Sequence, residues 1–308
     1  MFKLDEIQMR LLKEVADLHK VPEGAYNIRS NGESAGRFST ENIEIVPRED
    51  GQGITVNIKP GTKNQSVHIP VVMTQTGLKE VVYNDFYIGE DADVVIVAGC
   101  GIDNCGSQDS EHDGIHRFFV GKNAKVKYVE KHYGSGTGSG KRILNPGTEV
   151  YQEEGSTVEM EMVQIKGVDD TNRTTTAELA AGAKLVVRER LMTHGNQNAI
   201  STYVVNLNGE GASADVVSRS VARDTSYQKF DAKLVGNAAC SGHTECDSII
   251  MDKGKILAVP ALEANDLDAA LVHEAAIGKI AGDQIIKLMT LGLTEAEAEE
   301  QIINGFLK

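Results

Sequence analysis

Tryptophan is absent, and the 308 residues hold only 7 Phe and 8 Tyr. A core must therefore be built from Val, Ile, Leu, Ala and Met, which suits layers of small repeated side chains better than irregular packing of large rings. Proline is scarce too, with 6 residues against 31 glycines. Positive charge is in deficit: 31 Lys and Arg face 45 Asp and Glu, a net charge of −14. Such a surface repels nucleic acid and anionic lipid, so neither is expected as a partner. No run of 18 apolar residues occurs, so no transmembrane helix is expected. The charged, amphipathic start MFKLDEIQMRLLKEV lacks the apolar stretch of a secretion signal, which predicts a cytoplasmic protein. The only cysteines are Cys100, Cys105, Cys240 and Cys246, and in that compartment they are expected as thiols or metal ligands, not disulfides. What remains is ordinary for a globular chain, with 41% hydrophobic and 25% charged residues, so general disorder is excluded.

Helical periodicity opens the chain. Ile7, Leu11, Val15 and Leu18 recur with charges between them, and Pro22 and Gly24 follow. From about residue 40 the pattern changes to short strands, such as Ile43–Val46 and Ile54–Ile58. A weak repeat then emerges. GEDADVVIV (89–97) returns as GKNAKVKYV (121–129) at an offset of 32 residues. EEGSTVEMEMV, AAGAKLVVRE and GASADVVSR continue the series at intervals of roughly 27 to 32 residues. Each unit has a small or polar turn, a small residue, then alternating apolar positions. Repeats of this length bury their apolar face by stacking on neighbours. No helical pattern of useful length lies between them, and GSGTGSG (134–140) reads as a flexible loop. Helical spacing returns from about 270: Ile285, Ile286, Leu288 and Met289, then a capping-box pattern at Thr294–Glu297 and a stripe of Ala298, Ile302 and Phe306. The expected organisation is an N-terminal helix and linker (1–39), a parallel β-solenoid (40–262) and a C-terminal helical segment (263–308).

Several clusters bear on chemistry. Cys240-Ser-Gly-His243-Thr-Glu-Cys246 gathers two thiols and an imidazole, ligands that suit zinc, iron or iron–sulfur clusters. The C-x5-C spacing is no standard zinc finger, so a pair of structural thiols is the alternative. Cys100 and Cys105 with His112 and His116 form a loose zinc-ligand order, against two thiols at solenoid turns. His273-Glu274 is no zincin motif, and taken alone reads as a surface His and a helix-start Glu. Gly136-Thr-Gly-Ser-Gly140-Lys141 fails as a phosphate loop, because Arg142 stands where Ser or Thr is needed.

The last third of the chain resembles the SufB/SufD family of the SUF iron–sulfur cluster assembly system. The matching blocks are Ser241-Gly-His-Thr-Glu-Cys246-Asp-Ser-Ile-Ile, Val259-Pro260-Ala-Leu-Glu-Ala-Asn265, His273-Glu-Ala-Ala-Ile-Gly-Lys-Ile280, Asp283-Gln284, and Leu291-Gly-Leu-Thr-Glu-Ala-Glu-Ala298 with Asn304-Gly-Phe306. Gly114-Ile-His-Arg-Phe-Phe-Val-Gly-Lys-Asn-Ala-Lys-Val-Lys-Tyr128 resembles it more weakly. The resemblance covers roughly residues 85 to 308, with a short N-terminal part, as in a minimal member. It implies a right-handed parallel β-helix with helical ends. It further implies a scaffold, not an enzyme, that works with a SufC-type ATPase, a sulfur donor and apo-protein recipients. The scaffold is expected as a homodimer or as a heterodimer with a SufB/SufD paralogue. Cys246, His273 and Glu274 fall on positions implied to hold a transient, nascent iron–sulfur cluster, while the use of a flavin stays open. Lys287-Leu288 replaces the tyrosine usual in the first tail helix. The competing readings are a cytosolic zinc protein using Cys240, His243 and Cys246, with Cys100 and Cys105 as a second candidate pair, and a β-helix polymer-binding or lyase module. The latter usually displays aromatic or basic rows and a secretion signal.

Overall fold

The computed structural model describes residues 4–18 and 22–308. Helix α1 (Glu6–Ala16) opens with a capping box in which Asp5 accepts from Gln8 N and Gln8 reaches back to Asp5 N. It buries Leu11, Leu12 and Val15, while Ile7 of the expected stripe is exposed. The helix lies on a sheet face at Gly99 and Gly101, where a Cβ would meet Val15 O at 2.7 Å and Leu11 Cβ at 3.1 Å.

Two ten-stranded sheets face each other, and the chain alternates between them in stacked parallel coils, a β-solenoid of about 8 turns. GEDADVVIV and GKNAKVKYV lie in register on adjacent parallel strands, with Val94 opposite Val126 and Ile96 opposite Tyr128. The recurring turn has a physical cause. Asp91, Asn123, Gly155, Gly182 and Gly211 each adopt positive φ at the same corner of successive coils, a conformation that Gly, Asn and Asp tolerate best. The next residue points inward with no exposed surface: Ala92, Ala124, Ser156, Ala183 and Ala212. The corner takes small side chains throughout, with Thr62 the equivalent residue one coil before Ala92.

The strands run past both expected solenoid boundaries. Ala25–Ser30 pairs parallel with Lys63–Met73 and antiparallel with Glu33–Phe38, closing the first end. At the other end Lys255–Ala264 and Ala270–Gly278 are strands of the last coil. His273 and Glu274 therefore sit on a strand, not at a helix start. Their block Leu-Val-His-Glu-Ala-Ala-Ile alternates too weakly to separate strand from helix by period. Helices α2 (Gly282–Met289) and α3 (Glu295–Phe306) follow. The Thr294–Glu297 capping box forms as expected, with Thr294 N donating to Glu297 Oε2 at 2.8 Å. The loop 134–140 is not loose: Gly138 N and Gly140 N donate to Asn104 O and Gly106 O at 3.1 and 3.0 Å. A Cβ at Gly136 would lie 2.3 Å from Asn104 O, so the glycines serve close packing of one loop on the coil before it.

Candidate functional site

Register carries each inward side chain from coil to coil. One inward column of the first sheet runs Ala98, Glu130, Met162, Glu189, Ser218, Cys246, Ala275. The column beside it ends Val216, Thr244, His273. Buried carboxylates in the first column need partners, since an unpaired interior charge is costly. Arg173, pointing in from the second sheet, supplies one: it pairs with Glu130 and lies 3.7 Å from Glu189. All three are at most 5% exposed in their side chains. Glu189 also accepts from Ser201, Tyr203 and Ser218 at 2.6, 2.9 and 2.7 Å. Tyr128 donates to Glu130 at 2.9 Å. Burial opposes the charge on Glu130, but Arg173 and His132 outweigh it and hold that carboxyl well below its usual range. The polar interior thus reaches Ser218, the register neighbour beneath Cys246.

Cys246 is 1% exposed, with Sγ 3.6 Å from Ser248 Oγ. Burial pushes its thiol up, against the opposing Ser248 contact. His273 shares the inward face. Its Nδ1 meets Thr244 Oγ1 at 2.6 Å, and its Nε2 is buried with no hydrogen-bond partner. Burial, then His243, lowers its pKa and favours the neutral imidazole. The repeat at this point is 29 residues, within the roughly 27 to 32 read from the sequence, and longer by two and by one than the separations of Cys246 from His273 and Glu274. The register partner of Cys246 is Ala275, 29 residues on. His273 is thereby two places off on the same face, and Glu274 one place off on the opposite face. Within one chain, Cys246 and His273 are brought to one side and Glu274 to the other.

Glu274 instead joins an outer cluster. His243 and Glu245, two apart on the strand Ser241–Ile250, share that face, and Glu245 is the register partner of Glu274. His243 Nδ1 lies 2.8 Å from Asp215 Oδ1, and Nε2 lies 3.7 Å from Glu274 Oε2. Among the described residues this is the one trio of His, Cys, Asp or Glu whose ligand atoms fall within 4.8 Å of one another. Burial raises Glu245, with Asp247 adding to it. Burial also works against the charge of Asp215, but His243 and Arg188 hold its carboxyl below the usual value. Sequence reasoning named His243 but missed Glu245 and Asp215. The i, i+2 pairing in His-Thr-Glu was the available signal.

The other candidate thiols separate. Cys240 occupies the tight corner position that Ala212 holds one coil earlier and Ala269 one coil later. It points away from His243, and burial raises its thiol. Cys100 is buried on the inward column that continues to His132 and lines a cavity of about 20 Å³ with His112, His116 and Glu130. Cys105 is exposed on the following loop, with Sγ 3.2 Å from Asp103 Oδ1. All four cysteines are free. An outer groove of about 640 Å³ is lined by Tyr87, Phe119 and Tyr151. Their centroids stack at 4.8 and 5.2 Å, which covers both faces of Phe119 and one face each of Tyr87 and Tyr151. No described helix is long and apolar enough to cross a membrane.

Comparison with known proteins bears on this arrangement. A family model for the SUF system FeS cluster assembly SufBD core domain matches residues 73–306. An iron–sulfur cluster assembly SufBD family protein of Methanocaldococcus jannaschii is 28% identical over 264 residues, 84% of this chain and 82% of that protein. One from Archaeoglobus fulgidus is 30% identical over 279 residues, 87% of this chain and 71% of that protein. One from Pyrococcus horikoshii is 25% identical over 287 residues, 91% and 86% of the two chains.

Proposed function

The chain belongs to the SufBD family of iron–sulfur cluster assembly proteins, and on that premise we propose that it is a cytoplasmic scaffold, not an enzyme, on which a nascent cluster is built and then released to apo-proteins. Cys246 and His273 receive the cargo on the inward face of the last two coils. The observation that carries this reading is His273 itself, held through Nδ1 by Thr244 while Nε2 is left without a partner on the face it shares with Cys246. A histidine whose outer nitrogen is pinned presents the other in a fixed orientation to a metal. The thiol supplies soft sulfur for iron and is able to carry transferred sulfur as a persulfide. Burial raises its pKa and favours the protonated thiol, and coordination to an arriving iron ion would release that proton to solvent, as metals do with coordinating thiols. One thiolate and one imidazole hold a cluster less tenaciously than four thiolates, which suits transfer. Glu274 serves from the outer face. A SufC-type ATPase docks on α2 and α3, where Ile286 and Met289 are 63% and 43% exposed.

Anaerobic reconstitution with iron and a sulfur donor, in the presence of the ATPase, tests the site. Cys246→Ser is expected to keep its fold and lose bound iron and acid-labile sulfide, because Ser is a harder and far less acidic ligand. His273→Ala is expected to lower retention of both. Wild-type cluster loading and transfer by Cys246→Ser would overturn the proposal.

A further inference from the structure

We propose that the outer face of the last two coils holds a separate divalent-cation site made of His243 Nε2 and the carboxylates of Glu245 and Glu274, with Asp215 as the residue that orients the histidine. Three independent placements build it. Strand alternation puts His243 and Glu245 on one face. Parallel register sets Glu274 directly beside Glu245 on the next coil. Register again sets Asp215 beside His243 on the coil before, and the 2.8 Å contact to Nδ1 fixes the imidazole so that Nε2 turns toward Glu274. A carboxylate behind the outer nitrogen of a ligating histidine is the usual second layer of a metal site.

Two carboxylates directly opposite each other on neighbouring strands repel, and the sheet bears that cost unless something positive sits between them. Cations stand close without closing on the pair: Arg188, Arg190, Arg219 and Lys308 line the adjoining groove with His243 and Glu245. Arg188 is engaged with Asp215, and Arg219 acts on Glu245 through space but forms no ion pair with Glu245 or Glu274 among the described residues. A cation bound by all three ligand atoms, which lie within 4.8 Å of one another, relieves the repulsion. One nitrogen and two carboxylates, with open positions toward solvent, suit a first-row divalent ion of the ferrous class and lack the thiolates a cluster needs. The site is therefore a place where iron waits as an ion, one strand thickness from the inward pair Cys246 and His273. Only the naming of iron rests on the assembly reading. The site itself rests on geometry.

Co²⁺ titrated anaerobically into the full chain tests it. The expected result is one ion per chain, with weak visible ligand-field bands and no thiolate-to-cobalt charge-transfer band. Glu245→Gln with Glu274→Gln is expected to abolish binding, and Asp215→Asn to weaken it about 10- to 100-fold. Cys246→Ser is expected to leave binding unchanged. Fe²⁺ is expected to displace the Co²⁺. These are outward strand positions, so unchanged circular dichroism verifies the fold of each variant. Undiminished Co²⁺ binding by the double Gln variant, or a thiolate band that disappears in Cys246→Ser, overturns the site. Failure of Co²⁺ binding alongside intact cluster loading overturns this inference alone. Cluster loading by Cys246→Ser overturns the assembly reading and leaves this one standing.

Discussion

Arg173 is the residue on which the interior chemistry turns. It is a guanidinium 3% exposed between Glu130 and Glu189, and its own pKa is raised because both carboxylates overcome the cost of burial. Removing it strands two carboxylates in a medium that solvates them poorly. Arg173→Met is expected to cost about 3–5 kcal/mol in urea unfolding, and adding Glu130→Gln is expected to recover part of that loss. His116 makes a second residue-scale test. Burial, reinforced by His112, His132 and Arg173 against the opposing Glu130, lowers its pKa from 6.5 to about 4. The folded chain therefore binds this proton more weakly than the unfolded chain. The stabilising contribution is complete above about pH 6.5 and is lost as pH falls toward 4, by about 3 kcal/mol in all. His116→Leu is expected to remove that part of the acid sensitivity, read as a smaller drop in unfolding free energy between pH 7 and pH 4. An equal drop in both proteins would contradict it. Neither residue was visible in the sequence as interior: His116 enters there only in a loose zinc-ligand order, and only the coil geometry brings Arg173 across to Glu130, 43 positions away. Cys246 was legible as a candidate, but its face relative to Glu274 was not, because a one-residue difference in coil length inverts it.

Turns and strands of the solenoid were the legible elements, because their chemistry repeats. An Asp, Asn or Gly followed by a small residue marks the corner at each return, from Asp91-Ala92 to Gly211-Ala212. Gly182 gives a clean test of that corner. Its φ is +63°, yet an added Cβ meets nothing closer than Gly155 Cα at 3.8 Å. The penalty for Gly182→Ala is then backbone strain alone, about 1–2 kcal/mol, with Gly182→Asn costing less. A cost near zero would show that the corner relaxes. The last strand, Ala270–Gly278, was harder to read because its outward positions mix Val272, Glu274 and Ala276 and its inward ones mix His273 with Ala275. The tail helices were legible from their capping box and spacing, but their exposed side was not. Deleting residues 281–308 is expected to abolish co-purification with the ATPase while leaving the β-sheet circular dichroism. Retained association in the truncated chain would count against α2 and α3 as the docking element.

The whole molecule is a stack with unequal ends. The first end is closed by antiparallel pairings, Glu33–Phe38 on Ala25–Ser30 and Ile43–Pro47 on Gly53–Ile58, which interrupt the parallel ladder. At the other end Lys255–Ala264 and Ala270–Gly278 each terminate a sheet with one edge unpaired. Inward columns run out there into solvent. The column Ala177, Val205, Leu234, Leu262 is 1%, 0% and 0% exposed through its first three members and 43% at the last. Ile277, which continues Ser220 and Ser248 on the facing sheet, is 42% exposed. A core position exposed only because no further coil covers it marks a missing layer, and open sheet edges invite strand addition. A second copy of the chain, or a paralogue of the same build, is expected to supply that layer, and a second copy would bring a second Cys246 and His273 toward the seam. Light scattering of the purified chain, alone and with such a paralogue, is expected to give the mass of two chains. Leu262→Lys with Ile277→Lys is expected to give one, because each lysine would bury an unpaired charge across the seam yet remain solvated in the single chain. Both side chains are already half open to water, so the variant is expected to unfold at nearly the wild-type urea concentration. A wild-type chain that stays single under both conditions, or a double-lysine variant that still pairs, would place the seam elsewhere.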